Sequence, residues 1–320
     1  MAGGRSPGRA PALVVLGAAV LALLVAEAPT ARARRCPAGM ASVFGRFCVD
    51  VYEASVDVAN SRGKTLRRFS PYHTAEPGLR LVAKSRRGAV PQAYFSQEEA
   101  QAACAEAGKR LCTDKEWVTA CKGRRPTLYP YGDEHKDGYC NDRGVSPLRL
   151  LHGRDGSLAT FGMEAMNDPR LNKTPGSVAR TGHFRHCRNS FGLYDMVGNL
   201  HEWTANPNGE FRGGYYLDTT TNGEGCAYMT AAHSTKYHDY SIGFRCCKGG
   251  PTHAEAGHHA HKSHRGRASE PHEARTHVVA RGQTLGMIAH RYHTTIADIC
   301  KASGIRRRDP IRPGQKLTLP

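Results

Sequence analysis

Acidic residues are scarce in this 320-residue chain: 28 Asp and Glu stand against 45 Lys and Arg, a formal charge of +17. No run beyond Ala26 is long and apolar enough to cross a bilayer, which excludes a multi-span membrane protein. The 11 cysteines lack the spacings of a zinc ribbon. No nucleic-acid recognition motif accompanies the positive charge, so nucleic acid is not expected as a partner. The rest of the composition is ordinary, with 39% hydrophobic and 23% charged residues, and predicts at least one packed core. The length has room for two modest domains with accessory segments.

Arg5 and Arg9, an apolar run from Ala12 to Ala26 and then Ala31-Arg32-Ala33 follow the order of a secretory signal over residues 1–33. An uncleaved anchor is the other reading, although the run is shorter than the ~20 apolar residues of a comfortable span. Arg34 and Arg35 precede Cys36, which does not match a lipoprotein signal. The expected destination is therefore secreted or periplasmic, where thiols are oxidised. Ten cysteines lie between Cys36 and Cys247, an even number that reads as a disulfide framework of unspecified pairing, while Cys300 stands apart.

Residues 251–275 consist largely of Gly, Ala, Ser, Pro and His, including His253, His258, His259, His261, His264 and His272. Such a stretch buries too little apolar surface to offset its ordering entropy and reads as a flexible linker. Metal binding by its clustered imidazoles is the alternative. The linker divides a large Cys-rich domain, 36–250, from a small one, 276–320. In the large domain, Ser96 with Glu99 forms a capping box ahead of Ala100, Ala103, Cys104 and Ala107, and Gly108 is a natural stop. Thr113 with Glu116 starts a second helix carrying Trp117, Ala120 and Cys121. Elsewhere Gly, Pro, Asn and Asp recur every few residues, so short and irregular elements are expected in an α+β fold. In the small domain, His277-Val278-Val279 is strand-like. Leu285, Ile288, Ala289 and Tyr292 follow helical spacing, as do Ile296, Ile299 and Cys300, and a strand covers Lys316 to Leu319, giving a βααβ order.

The small segment, with Gly282-Gln-Thr-Leu285, Ile288-Ala289, Tyr292 and Ile311-Arg-Pro-Gly-Gln315, resembles a LysM domain. That resemblance implies binding of peptidoglycan or another N-acetylglucosamine polymer in a groove formed by Gly282, Gln283, Thr284, Leu285, Ile305 and Ile311.

In the large domain, several phrases occur in order: Cys36-Pro-Ala-Gly-Met40, Phe47-Cys-Val-Asp-Val-Tyr-Glu53, Gly108-Lys-Arg-Leu-Cys-Thr-Asp-Lys-Glu-Trp117, Tyr129-Pro-Tyr-Gly132, Gly192-Leu-Tyr-Asp-Met-Val-Gly-Asn-Leu-His-Glu-Trp-Thr204, Arg212-Gly-Gly214 and Gly243-Phe-Arg-Cys246. Together they resemble the sulfatase-modifying factor, or formylglycine-generating-enzyme-like, family, and imply its irregular fold akin to C-type lectins. The two carboxylates of Asp195-Met-Val-Gly-Asn-Leu-His-Glu202 flank a Gly-containing turn and offer the hard oxygens that calcium prefers, although both also suit turn capping or arginine pairing. The resemblance puts calcium on Asp195, Gly198, Leu200 and Glu202, and a second calcium on Asn141, Asp142, Asp168 and Arg170, the second and fourth of these through their carbonyls.

Active members of that family oxidise a sulfatase cysteine to formylglycine with Cu(I) held by two cysteines five residues apart. Here Cys226 lies in the corresponding stretch, but Thr221 and Ala231 occupy the two positions where a partner would stand. The iron motif His-x-x-x-His-x-Glu of the related sulfoxide synthases is also missing. The resemblances therefore imply an exported, cell-wall-associated protein. Its LysM domain would bind peptidoglycan, while its larger domain, without copper oxidase activity, would bind a protein or glycan partner. The competing expectation is a formylglycine-generating oxidase in which Cys226 and copper act on a target cysteine.

Overall fold

The computed structural model describes residues 1–4, 36–153, 161–231, 233–250, 275–279, 285, 288, 296–306 and 309–319. The expected signal, apart from its first four residues, and nearly all of the His-rich linker lie outside these.

The large domain is assembled from short strands on three small sheets. β1 (Met40–Val43) and β2 (Phe47–Asp50) form an antiparallel hairpin in which Met40 faces Asp50 and Val43 faces Phe47. β2 then pairs with β11 (Cys246–Lys248), near the far end of the domain, and β11 pairs with β6 (Arg110–Leu111). β3 (Ala54–Ala59), β4 (Thr65–Arg68) and β5 (Arg80–Ser85) make a second, antiparallel sheet in the order β4-β3-β5. The third comprises β7 (His201–Trp203), β8 (Phe211–Arg212), β9 (Met229–Thr230) and β10 (Ile242–Phe244), in the order β10-β7-β8-β9.

Both expected capping boxes form. α1 (Gln97–Glu106) starts with the Glu99 amide donating to Ser96 Oγ at 3.3 Å and the Ser96 amide donating to Glu99 Oε2 at 2.7 Å. α2 (Asp114–Lys122) repeats the arrangement with Thr113 and Glu116 at 3.2 and 2.9 Å. These reciprocal bonds satisfy orphan amides and contribute about 1 kcal/mol each. α1 buries Ala100, Ala103 and Cys104, and α2 buries Trp117, Ala120 and Cys121, so each apolar stripe faces the core. Two further short helices, α3 (Pro147–His152) and α4 (Met163–Met166), complete the domain.

Cysteine chemistry joins these pieces. Five disulfides link Cys36 to Cys48, Cys104 to Cys246, Cys112 to Cys247, Cys121 to Cys226 and Cys140 to Cys187. Successive side chains of a strand point to opposite faces, so Cys246 and Cys247 of β11 staple it in two directions, to α1 and to the residue after β6. Each bridge contributes about 2–4 kcal/mol.

At the C-terminus, β12 (Arg275–Val278) pairs antiparallel with β13 (Lys316–Leu319), His277 opposite Leu317. α5 (Ile296–Ser303) precedes β13. Leu285 and Ile288 are helical, as the spacing predicts, and the rest of that first helix lies outside the described residues. Val279, Leu285, Ile288, Ile299, Cys300, Leu317 and Leu319 form the small core.

Candidate functional site

The Asp195–Glu202 loop enters β7 by a route only particular residues accept. Asp195 and Asn199 adopt φ of 55° and 63°, and Gly198 φ of 76°. A Cβ on Gly198 would lie 2.3 Å from the Asn141 carbonyl oxygen, so no larger residue fits there. The turn delivers Glu202 into the interior opposite Arg245, both almost wholly buried. Arg245 Nε and one terminal nitrogen donate to the two Glu202 oxygens at 2.6 Å each, and Trp117 Nε1 donates to Oε2 at 2.7 Å. The guanidinium also donates to the carbonyls of Asp50 at 3.1 Å and Tyr194 at 2.9 Å. One buried arginine thus ties β2, the loop and β7 together.

Two more carboxylates stand beside it. Glu53 accepts from Asn199 Nδ2 at 2.6 Å and from the Leu200 amide at 3.2 Å, and Asp195 accepts from the Gly182 amide at 2.7 Å. Burial, reinforced by the neighbouring charges of Asp195 and Glu202, raises the Glu53 acid well above the usual range. Burial likewise pushes Asp195 up to about 7. Glu53, which the calcium expectation omitted, falls in the quoted Phe47–Glu53 phrase. That position in sequence was its only signal.

Three carboxylates around one guanidinium leave a surplus of buried negative charge, and the donors are hard oxygens. Hard oxygens are what calcium prefers, but among the described residues no group of three or more His, Cys, Asp or Glu side chains is placed to hold a metal ion. Glu202 departs from the expectation, because both its oxygens are occupied by Arg245 and Trp117.

Asn141 lies against the loop, its carbonyl accepting from the Asn199 amide at 2.8 Å, and Asp142 Oδ2 meets His135 Nε2 at 2.6 Å. The Asp168 carboxylate is instead occupied by the Arg170 side chain and by His152 Nε2 at 3.0 Å, and its carbonyl accepts from Tyr94 Oη at 2.9 Å. Among the described residues no hydrogen bond or ion pair joins Asn141 or Asp142 to Asp168 or Arg170.

The structure also relocates Cys226. It sits in a 3-10 turn, Gly225–Ala227, with its amide donating to the Leu128 carbonyl at 2.8 Å, and its sulfur is bonded to Cys121 of α2. Both cysteines are fully buried. A sulfur already in a disulfide is not a thiolate, and only the thiolate is a soft ligand for Cu(I). Cys246 and Cys247 are likewise bridged. Near the Arg212-Gly-Gly214 phrase the interior is filled with rings: the His201 ring centroid lies 4.8 Å from that of Phe211, 4.7 Å from Tyr215 and 5.4 Å from Tyr228. Burial pushes the His201 imidazole down to about 3, so it is neutral across the physiological range.

Residues 45–286 match the sulfatase-modifying factor enzyme 1-like domain. The chain belongs to this family. A LysM domain matches residues 277–320. Among curated proteins, this sulfatase-modifying factor family member is 29% identical over 175 residues to inactive C-alpha-formylglycine-generating enzyme 2 of Bos taurus, which covers 50% of each chain. It is also 29% identical over 119 residues to the formylglycine-generating enzyme of Mycobacterium tuberculosis, covering 37% of this chain and 34% of that one. The chain thus spans about half, or less, of the length of the curated relatives it matches. Among solved structures it aligns with the major tropism determinant I1 variant at 14% identity and a TM-score of 0.38, over 67% of this chain and 53% of that one. With CarF the identity is 21% and the TM-score 0.30, over 50% and 67%.

Of the LysM groove residues, Gly282, Gln283 and Thr284 lie outside the described residues. Leu285 is buried, and the half-buried Ile305 and Ile311 pack on the same small core.

Elsewhere in the sulfatase-modifying factor domain, Arg212 of β8 pairs with both Asp114 and Glu210, the latter at 2.6 Å. Burial, then the neighbouring Asp114 carboxyl, pushes the Glu210 acid up to about 8. A raised pKa means the folded chain holds a proton that the unfolded chain releases. This stabilisation is complete below the ordinary glutamate range and is lost as pH rises through about 8. The melting temperature is expected to fall between pH 5 and 9, and Glu210→Gln to flatten that fall; identical pH profiles for variant and parent would reject the assignment.

Proposed function

We propose that this is an exported protein that sits on the cell wall. Its LysM domain binds peptidoglycan, and its sulfatase-modifying factor domain serves as a disulfide-stapled binding module for a protein or glycan, not as a copper oxidase. The observation that carries the second half is the Cys121–Cys226 bridge, which occupies the sulfur that copper chemistry would need. Five disulfides in one domain agree with an oxidising compartment, and the LysM match agrees with a glycan partner. The irregular, bridged scaffold suits binding because it holds its loops in place without long elements.

The first test mixes the full secreted chain with insoluble peptidoglycan. Retention in the pellet is expected, and a chain ending at Gly250 should stay in solution; if both forms pellet equally, the LysM anchor is wrong. Incubating the protein with copper and a Cys-x-Pro-x-Arg peptide should leave the peptide mass unchanged, and conversion to formylglycine would overturn the binding-module reading.

Calcium belongs to the same proposal, as a structural ion beside Asp195. A ligand that binds only the folded chain stabilises it by about 2.7 kcal/mol at a hundred times its dissociation constant. Adding calcium to chelator-dialysed protein should therefore raise the melting temperature, with Asp195→Ala abolishing the rise. No rise in the parent would reject the site.

A further inference from the structure

The sheet β4-β3-β5 carries a charge pattern that neither the peptidoglycan groove nor the Glu202–Arg245 centre uses. Between residues 60 and 88 the chain has eight Lys and Arg and a single acid, Glu76. Two of the eight are neutralised: Arg80 by Glu106 at 2.5 Å and Arg86 by Asp57 at 2.5 Å. Arg62, Lys64, Arg67, Arg68, Lys84 and Arg87 have no carboxylate in ion-pair contact among the described residues.

The register gathers these cations. Arg68 stands opposite Asp57 and Lys84 opposite Ser55, so both share the outer face of β3 with Arg86, while Val56 and Val58 point to the core. Against burial, which raises it, the Arg86 contacts, then the Thr65 hydroxyl and the positive charge of Lys84, hold the Asp57 acid below its usual range. Arg62 and Lys64 occupy the β3–β4 turn, where the Asn60 side chain accepts from both of their amides at 3.1 and 2.9 Å. β4 is exposed along its whole length.

Charges on an edge strand, lysine above all, also guard against unwanted pairing, and both outer strands of this sheet are edges, but Arg62 and Lys64 lie in the turn outside the strands and carry the same sign. The single sign across turn, edge and far strand calls for an anionic partner. Neighbouring strands lie about 4.8 Å apart, so Arg68 on β4 and Lys84 on β5, on either side of β3, stand about 10 Å apart on one face, with Arg62 and Lys64 at the turn.

We propose that this face docks a wall glycopolymer carrying phosphodiester groups along its chain. The choice of polymer rests on the wall location proposed above; the cationic face does not. Peptidoglycan held by the LysM domain and an anionic polymer held by this sheet would then be two separate contacts.

The test uses the full chain and poly(glycerol phosphate) as the probe, with no peptidoglycan present, so a failure of the LysM reading leaves it unaffected. The triple variant Lys64→Glu/Arg68→Glu/Lys84→Glu is compared with Lys122→Glu/Arg124→Glu/Arg125→Glu, which changes net charge equally at another place. The face variant should bind about 30-fold more weakly at ~0.1 M salt and lose about two units of slope in log K against log salt, while the control stays within about twofold of the parent. All substitutions are at exposed or half-exposed positions, and an unchanged melting temperature checks the fold; the triple Gln variant should fall between parent and Glu variant. Equal losses in the two Glu variants would reduce the effect to net charge and overturn the proposal. Duplex DNA or anionic lipid vesicles binding the parent more tightly than the polymer, with the same dependence on the face, would overturn the choice of partner.

Discussion

Arg245→Met is expected to destabilise the protein by about 3–5 kcal/mol, because removing one partner of a buried pair leaves the other charge unpaired. The cost falls on more than Glu202. Arg245 is the one guanidinium among Glu53, Asp195 and Glu202, so its loss leaves three carboxylates in a water-excluded interior, two of them already driven toward protonation by burial. Trp117 Nε1 would remain as a donor to Glu202, but a single neutral hydrogen bond contributes only about 1 kcal/mol. In a domain of this size each kcal/mol shifts the midpoint by about 2–4 °C, so a drop of roughly 10 °C is expected in thermal denaturation. The double variant Arg245→Met/Glu202→Gln should recover part of the loss, since it removes one of the stranded charges. If Arg245→Met melts with the parent, the arginine is not the tie that its contacts to β2, the loop and β7 imply.

What the sequence made legible was local. Both capping boxes were readable because their partners are three residues apart and the reciprocal bonds need no tertiary context. The even count of cysteines in the large domain gave the disulfide framework but not the pairing, since Cys104–Cys246 and Cys112–Cys247 join residues 142 and 135 positions apart. No periodicity reports on contacts of that separation. Glu202 shows the same limit in a site. Its carboxylate suits an ion or an arginine by chemistry alone, and only the fold shows that Arg245 stands beside it. Asp168 shows a nearer effect: Arg170, two residues on, reaches back to its carboxylate.

Cys226 decides what kind of protein this is, and its bridge is expected to be a structural member. Closing a loop of about a hundred residues restricts the unfolded chain by up to about 4.7 kcal/mol, so Cys121→Ala/Cys226→Ala should lose about 3–5 kcal/mol in denaturant unfolding. Both sulfurs lie in the core that also holds Trp117, Tyr129 and Met196, so the small cavities left by two alanines add to the loss. Cys226→Ala alone should be at least as damaging, because it leaves the Cys121 thiol in a core packed for a disulfide. Non-reducing peptide mapping of the parent should recover the two cysteines as one linked pair. A copper site would behave in the opposite way: Cys226 would map as an unbridged thiol, its replacement would cost little stability, and the loss would appear in turnover. A stable Cys226→Ala variant together with an unlinked Cys226 peptide in the parent would remove the ground for the binding-module reading and return the oxidase to first place.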